Sequence, residues 1–553
     1  MVQTTESAVR EAFTKTAADP DLPPAGVLVL VGHPGLDPGD ADGAQEHARD
    51  VIWEVAAIVR AIATGWHGKP PRLWLVSREG LAVTGTENPG AGNPGVGSLK
   101  GLVRVLAYEH PDLRATLVDL DAGSDAVAAL TAELAASGSD DVIAWRGGRR
   151  FVERLSRATL PTARLDPVVR SNGSYIVTGA LGGIGMAVVR WLVDRGAGRI
   201  VLNGRSAPSD EVLTQLAGLG ERTELVTVRG DIAEPGVAQR LVGAAEETGW
   251  PLAGVIHSAA VLDDELVAGL TRDSLDRIWM PKAAGAIRLH EATLGKQVDW
   301  WVGFSSVASL LGSPGQAAYA CANAWLDALV EWRQAAGLPA TSIHWGQWSD
   351  VGLSRAMQFS ALDPMNPVEG IEALESVVAG GFTRVGIARL RFDRAADAFP
   401  EIRRLGYFAN LVGELEALDA DDDWGGPDAL RELDPAEASR VVTARLRKRI
   451  SAIMGYSDGG AVDPEQPLTE LGMDSLMAVL MRNTVRGDFG VEPPVALILQ
   501  GASLADLVLD LIRQLGLTEQ STGERPNAVR DRALQRAAAR QRAAARRKVG
   551  QRS

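Results

Sequence analysis

A glycine-rich loop between two apolar segments most constrains how this chain can fold. The run Tyr175–Val177 has the length and side chains of a buried parallel strand, and residues Ile184–Val193 follow the period of a helix. The loop and the first helical turn contain four glycines, Gly179, Gly182, Gly183 and Gly185. Glycines in such a unit let backbone N–H groups approach a pyrophosphate at the positive end of the helix. Taken alone, the loop fits an ordinary strand–turn–helix connection equally well.

The residues after the next strand indicate which dinucleotide would bind. The strand at 199–202 is followed by Arg205 and Ser206, where a site specific for NAD usually has an acidic residue. A guanidinium and a hydroxyl suit the 2′-phosphate of NADPH. The sequence therefore favours NADPH over NADH.

Two further strand ends complete the expected cofactor site. Asp231 and Ile232 follow the third strand and are expected to border the adenine. Ser258 and Ala259 follow the fourth strand, where small residues let the backbone lie close to the nicotinamide ribose. The full set of expected cofactor-binding residues is Thr178, Gly179, Leu181, Gly182, Gly183, Ile184, Gly185, Arg205, Ser206, Asp231, Ile232, Ser258 and Ala259.

Alternating strands and helices predict an α/β protein made of two Rossmann-like subdomains with doubly wound parallel sheets. A small four-helix bundle and a basic helical tail follow. The expected boundaries are 1–24 for a lead-in, 25–170 and 171–415 for the subdomains, 416–433 for an acidic linker, 434–516 for the bundle and 517–553 for the tail. The Gly/Pro-rich stretch 88–97 lacks the strand-to-helix context of a phosphate loop and is expected to be a surface loop.

Composition excludes several classes of function. The net charge of −14 over 553 residues is not typical of a nucleic-acid-binding protein. Apolar runs such as Val27–Val31 are too short to cross a bilayer and Met1–Arg10 lacks a leader sequence, so a cytoplasmic protein is expected. The single cysteine, Cys321, excludes an internal disulfide, and the seven histidines show no ligand spacing for a metal.

Three polar residues downstream suit the reduction of a ketone. Ser306 ends a predicted strand, Tyr319 follows thirteen residues later, and Asn323 lies one helical turn further on the same face. A ketone that accepts hydride needs a proton donor for the developing alkoxide, and a phenol held by a second hydroxyl can supply the proton. Any buried tyrosine beside an asparagine would satisfy this spacing by itself.

Together these motifs resemble the ketoreductase domain of type I polyketide synthases, which belongs to the short-chain dehydrogenase class. The resemblance is carried by Thr178–Gly185, Phe304–Ser306, Gly315–Ala324 and Trp345–Trp348. The first half is similar to the structural subdomain of that family, through Leu73–Val76 and Glu109–Asp112. The overall pattern also resembles the mycobacterial lipid synthases of the phthiocerol type.

The resemblance implies a role for each polar residue. Tyr319 would donate the proton, Ser306 would hold the carbonyl oxygen, and Lys282 would lower the pKa of the tyrosine. Asn323 would hold a water molecule of a proton relay. General short-chain dehydrogenases have a lysine four residues after the tyrosine, whereas in polyketide ketoreductases the lysine and the asparagine exchange places, as they do here.

Two marks imply the stereochemical type. Leu262, Asp263 and Asp264 resemble the motif of B-type ketoreductases, and Leu311 stands where A-type members have tryptophan. A B-type enzyme that forms a D-configured alcohol is therefore expected. The aspartates fit a solvated helix start as well.

A second chemical site is expected in the helical bundle. The hexapeptide Leu471–Leu476 resembles the prosthetic-group site of acyl carrier proteins, in which Ser475 would bear 4′-phosphopantetheine. A serine at this position would also serve as a helix N-cap. The tail from Ser521 has a net charge of +8 and is either a solvated end or a docking helix for a downstream synthase polypeptide.

The function implied by the resemblance is NADPH-dependent reduction of the β-keto group of an acyl thioester held on the carrier. Ketosynthase and acyltransferase domains upstream in the same synthase would be the partners. Three alternatives stay open: a reductase without activity that acts as a scaffold for the carrier, an epimerase of the α-substituent, or a general short-chain dehydrogenase with an unrelated helical appendage.

Overall fold

The computed structural model describes Ala8, Glu11 and residues 26–33, 41–66, 69–84, 90–123, 125–158, 167–349, 361–418, 426–454 and 462–517, except 472, 474, 492, 495, 496 and 499. The described residues divide into two compact units, with the main boundary after Leu390. No helix in this described part combines the length and apolar character that crossing a membrane requires. The tail beyond residue 517, interpreted above as either a solvated end or a docking helix, lies outside the described residues.

The first half of the first unit is a five-stranded sheet with helices. Its strands lie in sequence order, β1 to β4 are parallel, and β5 is antiparallel to β4. The sequence analysis did not predict β5, which returns through a turn whose two residues, Gly147 and Gly148, both have positive φ. The elements are β1 Gly26–Leu30, α1 Ala41–Gly65, β2 Arg72–Arg78, α2 Pro94–Glu109, β3 Thr116–Leu120, α3 Ala126–Ala135, β4 Val142–Arg146 and β5 Arg149–Val152.

The second half of this unit is a seven-stranded, wholly parallel sheet. Its elements are β6 Ser174–Thr178, α4 Gly183–Asp194, β7 Arg199–Gly204, α5 Asp210–Gly220, β8 Glu224–Arg229, α6 Val237–Glu246, β9 Leu252–His257, α7 Arg272–Trp279, α8 Gly285–Ala292, β10 Trp300–Ser306, α9 Val307–Leu311, α10 Ala317–Ala335, β11 Thr341–Trp345, β12 Leu362–Asp363, α11 Pro367–Gly380, β13 Arg384–Ile387 and β14 Arg389–Leu390. A π-helical turn, Met280–Ala284, joins α7 to α8.

The strand order of the large sheet places the site. The order is β13-β11-β10-β9-β6-β7-β8, so β7 and β8 are added on one side of β6 and the later strands on the other, with the switch point between β6 and β9. The strands β12 and β14 form a separate antiparallel pair. Ligands of such sheets bind beyond the carboxyl ends of the strands at this switch point. The two predicted Rossmann-like subdomains are thereby confirmed, with a wholly parallel sheet in the second and one antiparallel strand, β5, beside four parallel strands in the first.

Close packing of α2 against α10 joins the two halves of the unit. A Cβ atom on Gly97 would lie 2.4 Å from the Ala328 Cβ, and one on Gly101 would lie 2.5 Å from the Ala320 carbonyl oxygen. The expectation of a loop through residue 97 was therefore wrong, because α2 already begins at Pro94. Proline suits the first helical position, and the Asn93 side chain caps the helix by accepting a hydrogen bond from Gly95 N at 2.8 Å.

The second unit is helical. Its helices are α12 Phe392–Ala398, α13 Ala409–Leu418, α14 Gly426–Ala429, α15 Pro435–Ile453, α16 Ser475–Phe489 and α17 Leu504–Gln514. Arg449 on α15 joins three helices, because its guanidinium contacts Asp488 on α16 at 2.7 Å and Asp397 on α12 at 2.8 Å. The fourth expected helical element of the bundle falls partly on residues outside the described part, and the domain boundaries remain predictions.

We predict that Gly101→Ala destabilises the reductase unit by roughly 1–3 kcal/mol, because the added methyl group meets backbone atoms of α10 that cannot rotate away. The control is Gly243→Ala in α6, where a Cβ has nothing within 4 Å and a gain of about 0.4–1 kcal/mol is expected. Urea unfolding of the two full-length variants measures both effects. Equal stability of Gly101→Ala and the wild type would contradict the close helix contact.

Candidate active site

The glycine loop and the end of β9 are joined by one side chain. The Thr178 hydroxyl accepts hydrogen bonds from Ser258 N at 3.2 Å and Ala259 N at 3.4 Å, and the Ser258 hydroxyl donates to Thr178 O at 2.6 Å. Gly179 has a φ of +66° and lies against Ser258 and Ala259, so a Cβ there would be strained and crowded. These bonds hold the ends of β6 and β9 together at the switch point.

A buried histidine extends this connection to Lys282. The Thr178 hydroxyl and His257 Nδ1 lie 2.9 Å apart, and His257 Nε2 lies 2.9 Å from Lys282 O. Because a carbonyl only accepts, Nε2 donates to Lys282 and Nδ1 accepts from Thr178. Burial and the nearby Lys282 lower the pKa of His257 to about 3, so the imidazole is neutral. His257 thus fixes the backbone at Lys282.

Lys282 lies in the π-helical turn with its ammonium group buried. Its Nζ donates to Phe304 O on β10 at 2.8 Å. Burial lowers the pKa of Lys282 to about 7, and Asp327 acts in the opposite direction. The amine therefore changes its charge near neutral pH.

The expected catalytic side chains meet at the end of β10, the strand that Lys282 contacts. Ser306 is the last residue of β10, and its Oγ accepts from Ala308 N at 3.1 Å. Tyr319 lies in the first turn of α10 and is partly buried. Burial raises the pKa of Tyr319, whereas hydrogen bonding with the side chains of Ser306 and Asn323 lowers it. The structure thus brings Tyr319, Ser306 and Asn323 together.

The nitrogen of the Asn323 side-chain amide has a hydrogen-bond partner among the described residues, and its oxygen does not. Its Nδ2 donates to Tyr319 O at 2.8 Å, and its Oδ1 is buried with no hydrogen-bond partner among the described residues. A buried amide oxygen without a partner is costly, and an ordered water is its usual remedy. The position suits a bound water.

A buried carboxylate, Asp327, lies one turn further along α10. It accepts hydrogen bonds from Ser309 Oγ and His344 Nε2, both at 2.9 Å, and from Ser342 Oγ. Burial alone would raise the pKa of Asp327, but His344 and Ser342 outweigh it and hold the pKa at about 2. Asp327 is therefore the nearby negative charge that favours the protonated form of Lys282.

The residues expected around the adenosine end lie at the ends of β7 and β8. Arg205 and Ser206 are exposed, and the Arg205 guanidinium lies 3.8 Å from the Asp231 carboxylate. Asp231 accepts from Ala233 N at 3.0 Å, and Ile232 is buried. A cation and a hydroxyl therefore face solvent beside the glycine loop.

The glycine loop fits a dinucleotide. Gly182 and Gly183 are exposed. Because the N-cap residue Gly182 has no side chain, it cannot cap the first N–H groups of α4. A Cβ on Gly185 would lie 2.2 Å from Gly179 O, so only glycine permits this tight turn. Leu181 packs against Gly204, where β7 ends. Together with Ile184 in the first turn, these residues leave an open helix N-terminus suited to a phosphate.

The expected stereocontrol segments lie next to each other. Gln316 Nε2 donates to Asp264 Oδ1 at 2.9 Å, and Asp263 forms an ion pair with Arg277. The negative charge of Asp264 also acts to raise the pKa of Tyr319. Leu262 is partly buried at the start of its segment, and Leu311 O accepts from Tyr108 OH at 2.7 Å.

Comparison with known proteins decides the family. Family models match residues 173–350 as a KR domain and residues 2–155 as the Rossmann fold domain of the polyketide synthase extender module SpnB. The first ketoreductase of the tylosin polyketide synthase is 30% identical with a TM-score of 0.64, and the match covers 75% of this chain and 87% of that one. This chain belongs to the ketoreductase family of modular polyketide synthases. The resemblance read from the motifs is confirmed.

One solved structure and one mycobacterial protein are also similar to this chain. An A1-type ketoreductase structure is 29% identical, with a TM-score of 0.64 over 75% of this chain and 88% of that chain. A phenolphthiocerol/phthiocerol polyketide synthase polypeptide of Mycobacterium tuberculosis is 58% identical over 544 residues, or 97% of this chain. This chain spans only 29% of the length of that relative.

The carrier part of the ketoreductase chain is also supported. A phosphopantetheine attachment site model matches residues 444–511. Ser475 is the first residue of α16, while its side chain and the whole of Asp474 lie outside the described residues. Among the described residues, no group of three or more histidine, cysteine or acidic side chains could hold a metal.

Two further polar residues, His257 and Asp327, act on Lys282 and were not predicted from the sequence. His257 ends β9 directly before Ser258, so its position beside a predicted cofactor residue was a usable signal. Asp327 lies on α10 two turns after Tyr319, and its partners Ser309 and His344 come from two other elements. Only the folded chain brings those partners together.

Proposed function

We propose that this ketoreductase reduces the β-keto group of an acyl chain attached through 4′-phosphopantetheine to Ser475, with NADPH as the reductant, and forms the D-configured alcohol. The observation that carries this proposal is the convergence of Tyr319, Ser306 and Lys282 at the strand ends beside the open glycine loop. When bound, NADPH supplies the hydride that adds to the β-carbon.

The residues of the chain hold and protonate the carbonyl oxygen. As the new C–H bond forms, the electron pair of the C=O bond moves to oxygen, and the Tyr319 hydroxyl donates its proton there. The Ser306 hydroxyl donates a hydrogen bond to the same oxygen. Both donors are fixed in place, so they stabilise the developing charge without reorganising.

Lys282 stabilises Tyr319 after it has given up its proton, and Asn323 helps to restore that proton. The Lys282 ammonium favours the tyrosinate that remains after proton transfer, and Asp327 keeps the ammonium protonated. A water on Asn323 Oδ1 passes a proton back to Tyr319. The buried, unpaired amide oxygen of Asn323 supports this role.

The preference for NADPH and the stereochemistry are further parts of the proposal. Exposed Arg205 and Ser206 suit a 2′-phosphate, and the pair of Arg205 with Asp231 at 3.8 Å is loose enough to open. Asp263 and Asp264 lie on the segment next to Gln316, and leucine rather than tryptophan stands at position 311. Both features favour a B-type ketoreductase.

The proposed partners follow from the carrier and from the relatives. The mycobacterial relative is a polyketide synthase polypeptide more than three times the length of this chain. Ketosynthase and acyltransferase domains of the same synthase would extend the chain held on Ser475. A downstream synthase polypeptide would bind the basic tail.

We predict that Tyr319→Phe lowers NADPH-dependent reduction of a β-ketoacyl N-acetylcysteamine thioester by 10²–10⁴-fold, roughly the contribution of a positioned general acid. Absorbance at 340 nm reports turnover, and fluorescence titration reports NADPH binding, which the variant should retain. The wild type should use NADPH in preference to NADH. If wild type and variant oxidise NADPH equally fast, Tyr319 is not the proton donor; if wild type binds NADPH without turnover, the scaffold or epimerase alternative takes over.

A second prediction concerns pH. Since the pKa of Lys282 is lowered to about 7, the ammonium loses its proton as pH rises through 7, and kcat/KM for reduction should fall above that pH. Arginine stays protonated to about pH 12. The kcat/KM of Lys282→Arg should therefore not change between pH 7 and about 9, whatever its absolute value. The measurement is kcat/KM from pH 6 to about 9. If kcat/KM fell with pH in the same way in the wild type and in Lys282→Arg, a group other than Lys282 would be responsible for the fall.

A further inference from the structure

The last two turns of α2, in the structural half of the ketoreductase, contact both segments that border Tyr319. Arg104 NH1 donates to Ser309 O at 3.1 Å, and Tyr108 OH donates to Leu311 O at 2.7 Å. Gly312, with a φ of +78°, fits tightly here, because a Cβ would lie 2.6 Å from the Tyr108 ring and 2.7 Å from Arg104 O. The turn after α9 is thus shaped by residues about 200 positions earlier in the chain.

Glu109 makes the most specific of these contacts. Its Oε1 accepts from Gly315 N at 2.8 Å, and its Oε2 accepts from Val267 N at 2.7 Å. The side chain is buried, with 3% of the residue exposed. A carboxyl group that accepts one bond on each oxygen joins the two backbone segments, and we call this pair of bonds the clip.

The two linked segments carry the expected stereocontrol residues and approach Tyr319. Gly315 lies four residues before Tyr319, and Val267 lies three residues after Asp264. The segments also contact each other directly, because Glu265 N donates to Gly315 O at 2.6 Å. Gln316 donates to Asp264 in the same region. Glu109 therefore binds both segments close to the point where they contact each other.

We propose that Glu109 is a positioning residue of the ketoreductase, which holds the segment of Asp263 and Asp264 against the turn before Tyr319 and so sets the face of the ketone that is reduced. This proposal rests on the proposed ketone reduction. Glu109 would then influence specificity from the structural half without touching the substrate.

Chemistry makes glutamate hard to replace. In Glu109→Gln the amide keeps one oxygen, so one of the two backbone N–H groups keeps its acceptor. The other N–H then faces an NH₂ group and loses its bond. A buried N–H without a partner is unfavourable, and the two segments should separate to reach water.

The test compares two variants with one matched control. Glu109→Gln breaks the clip, and Tyr108→Phe removes the neighbouring bond to Leu311 O while keeping the ring. The control is Glu133→Gln on α3, which also neutralises a buried glutamate of the structural half but one held by Arg150 and Trp145. A general loss of stability would affect Glu109→Gln and Glu133→Gln alike.

The readout is the diastereomer ratio of the alcohol formed from a racemic 2-methyl-3-oxo N-acetylcysteamine thioester. We expect Glu109→Gln to lower the ratio of major to minor product at least about fivefold and kcat/KM roughly tenfold to hundredfold, as for a misplacement near 1 Å. Tyr108→Phe should lower the ratio less, and Glu133→Gln should leave it unchanged. An unchanged ratio in Glu109→Gln, or an equal fall in Glu133→Gln, would overturn the proposal.

Hydrogen exchange tests the clip without turnover. Peptides that contain Val267 and Gly315 should exchange faster in Glu109→Gln than in the wild type, while those of β6 should not change. Protection equal to the wild type would overturn the positioning role even if the wild type proved inactive, an outcome that would itself refute the proposed reduction. The two failures are therefore distinguishable.

Discussion

The packing of α2 against α10 is the contact on which the reductase unit depends. Two glycines on α2 let the helix lie against the backbone of α10, and α10 carries Tyr319, Asn323 and Asp327. The helices have little freedom to slide, because a Cβ on Gly101 would meet the main chain of α10 and one on Gly97 would meet the Cβ of Ala328, and neither can rotate away. The half without a glycine loop therefore supports the catalytic helix directly.

A series of buried polar contacts crosses the switch point of the sheet from β6 to β10. Thr178 joins the glycine loop to β9, His257 joins β9 to the turn of Lys282, and Lys282 reaches β10. His257 stays neutral because burial in this place disfavours its charge. Near the phenol, Asp264 acts to raise the pKa of Tyr319, and hydrogen bonding with the side chains of Ser306 and Asn323 acts to lower it.

Sequence analysis found the parts whose signal is local. The glycine loop, the strand ends and the spacing of Ser306, Tyr319 and Asn323 are readable within short windows, and the fold and family followed from them. Glu109, His257 and Asp327 were missed as site residues because their roles arise from contacts between distant elements; Glu109 binds backbone groups 158 and 206 positions away. Stretch 94–97 was misjudged because glycine usually breaks helices, whereas here it permits helix contact.

The most direct test of the account uses the chain's own carrier domain. The wild type would be loaded at Ser475 with a β-ketoacyl phosphopantetheine, given NADPH labelled with deuterium at the transferred position, and followed by mass spectrometry of the released pantetheine fragment. The account predicts that the bound chain gains one deuterium and one solvent proton in the wild type, and that Tyr319→Phe gains both at least about 10²-fold more slowly. A wild-type acyl chain that stays a ketone, or a gain that does not need Tyr319, would contradict it.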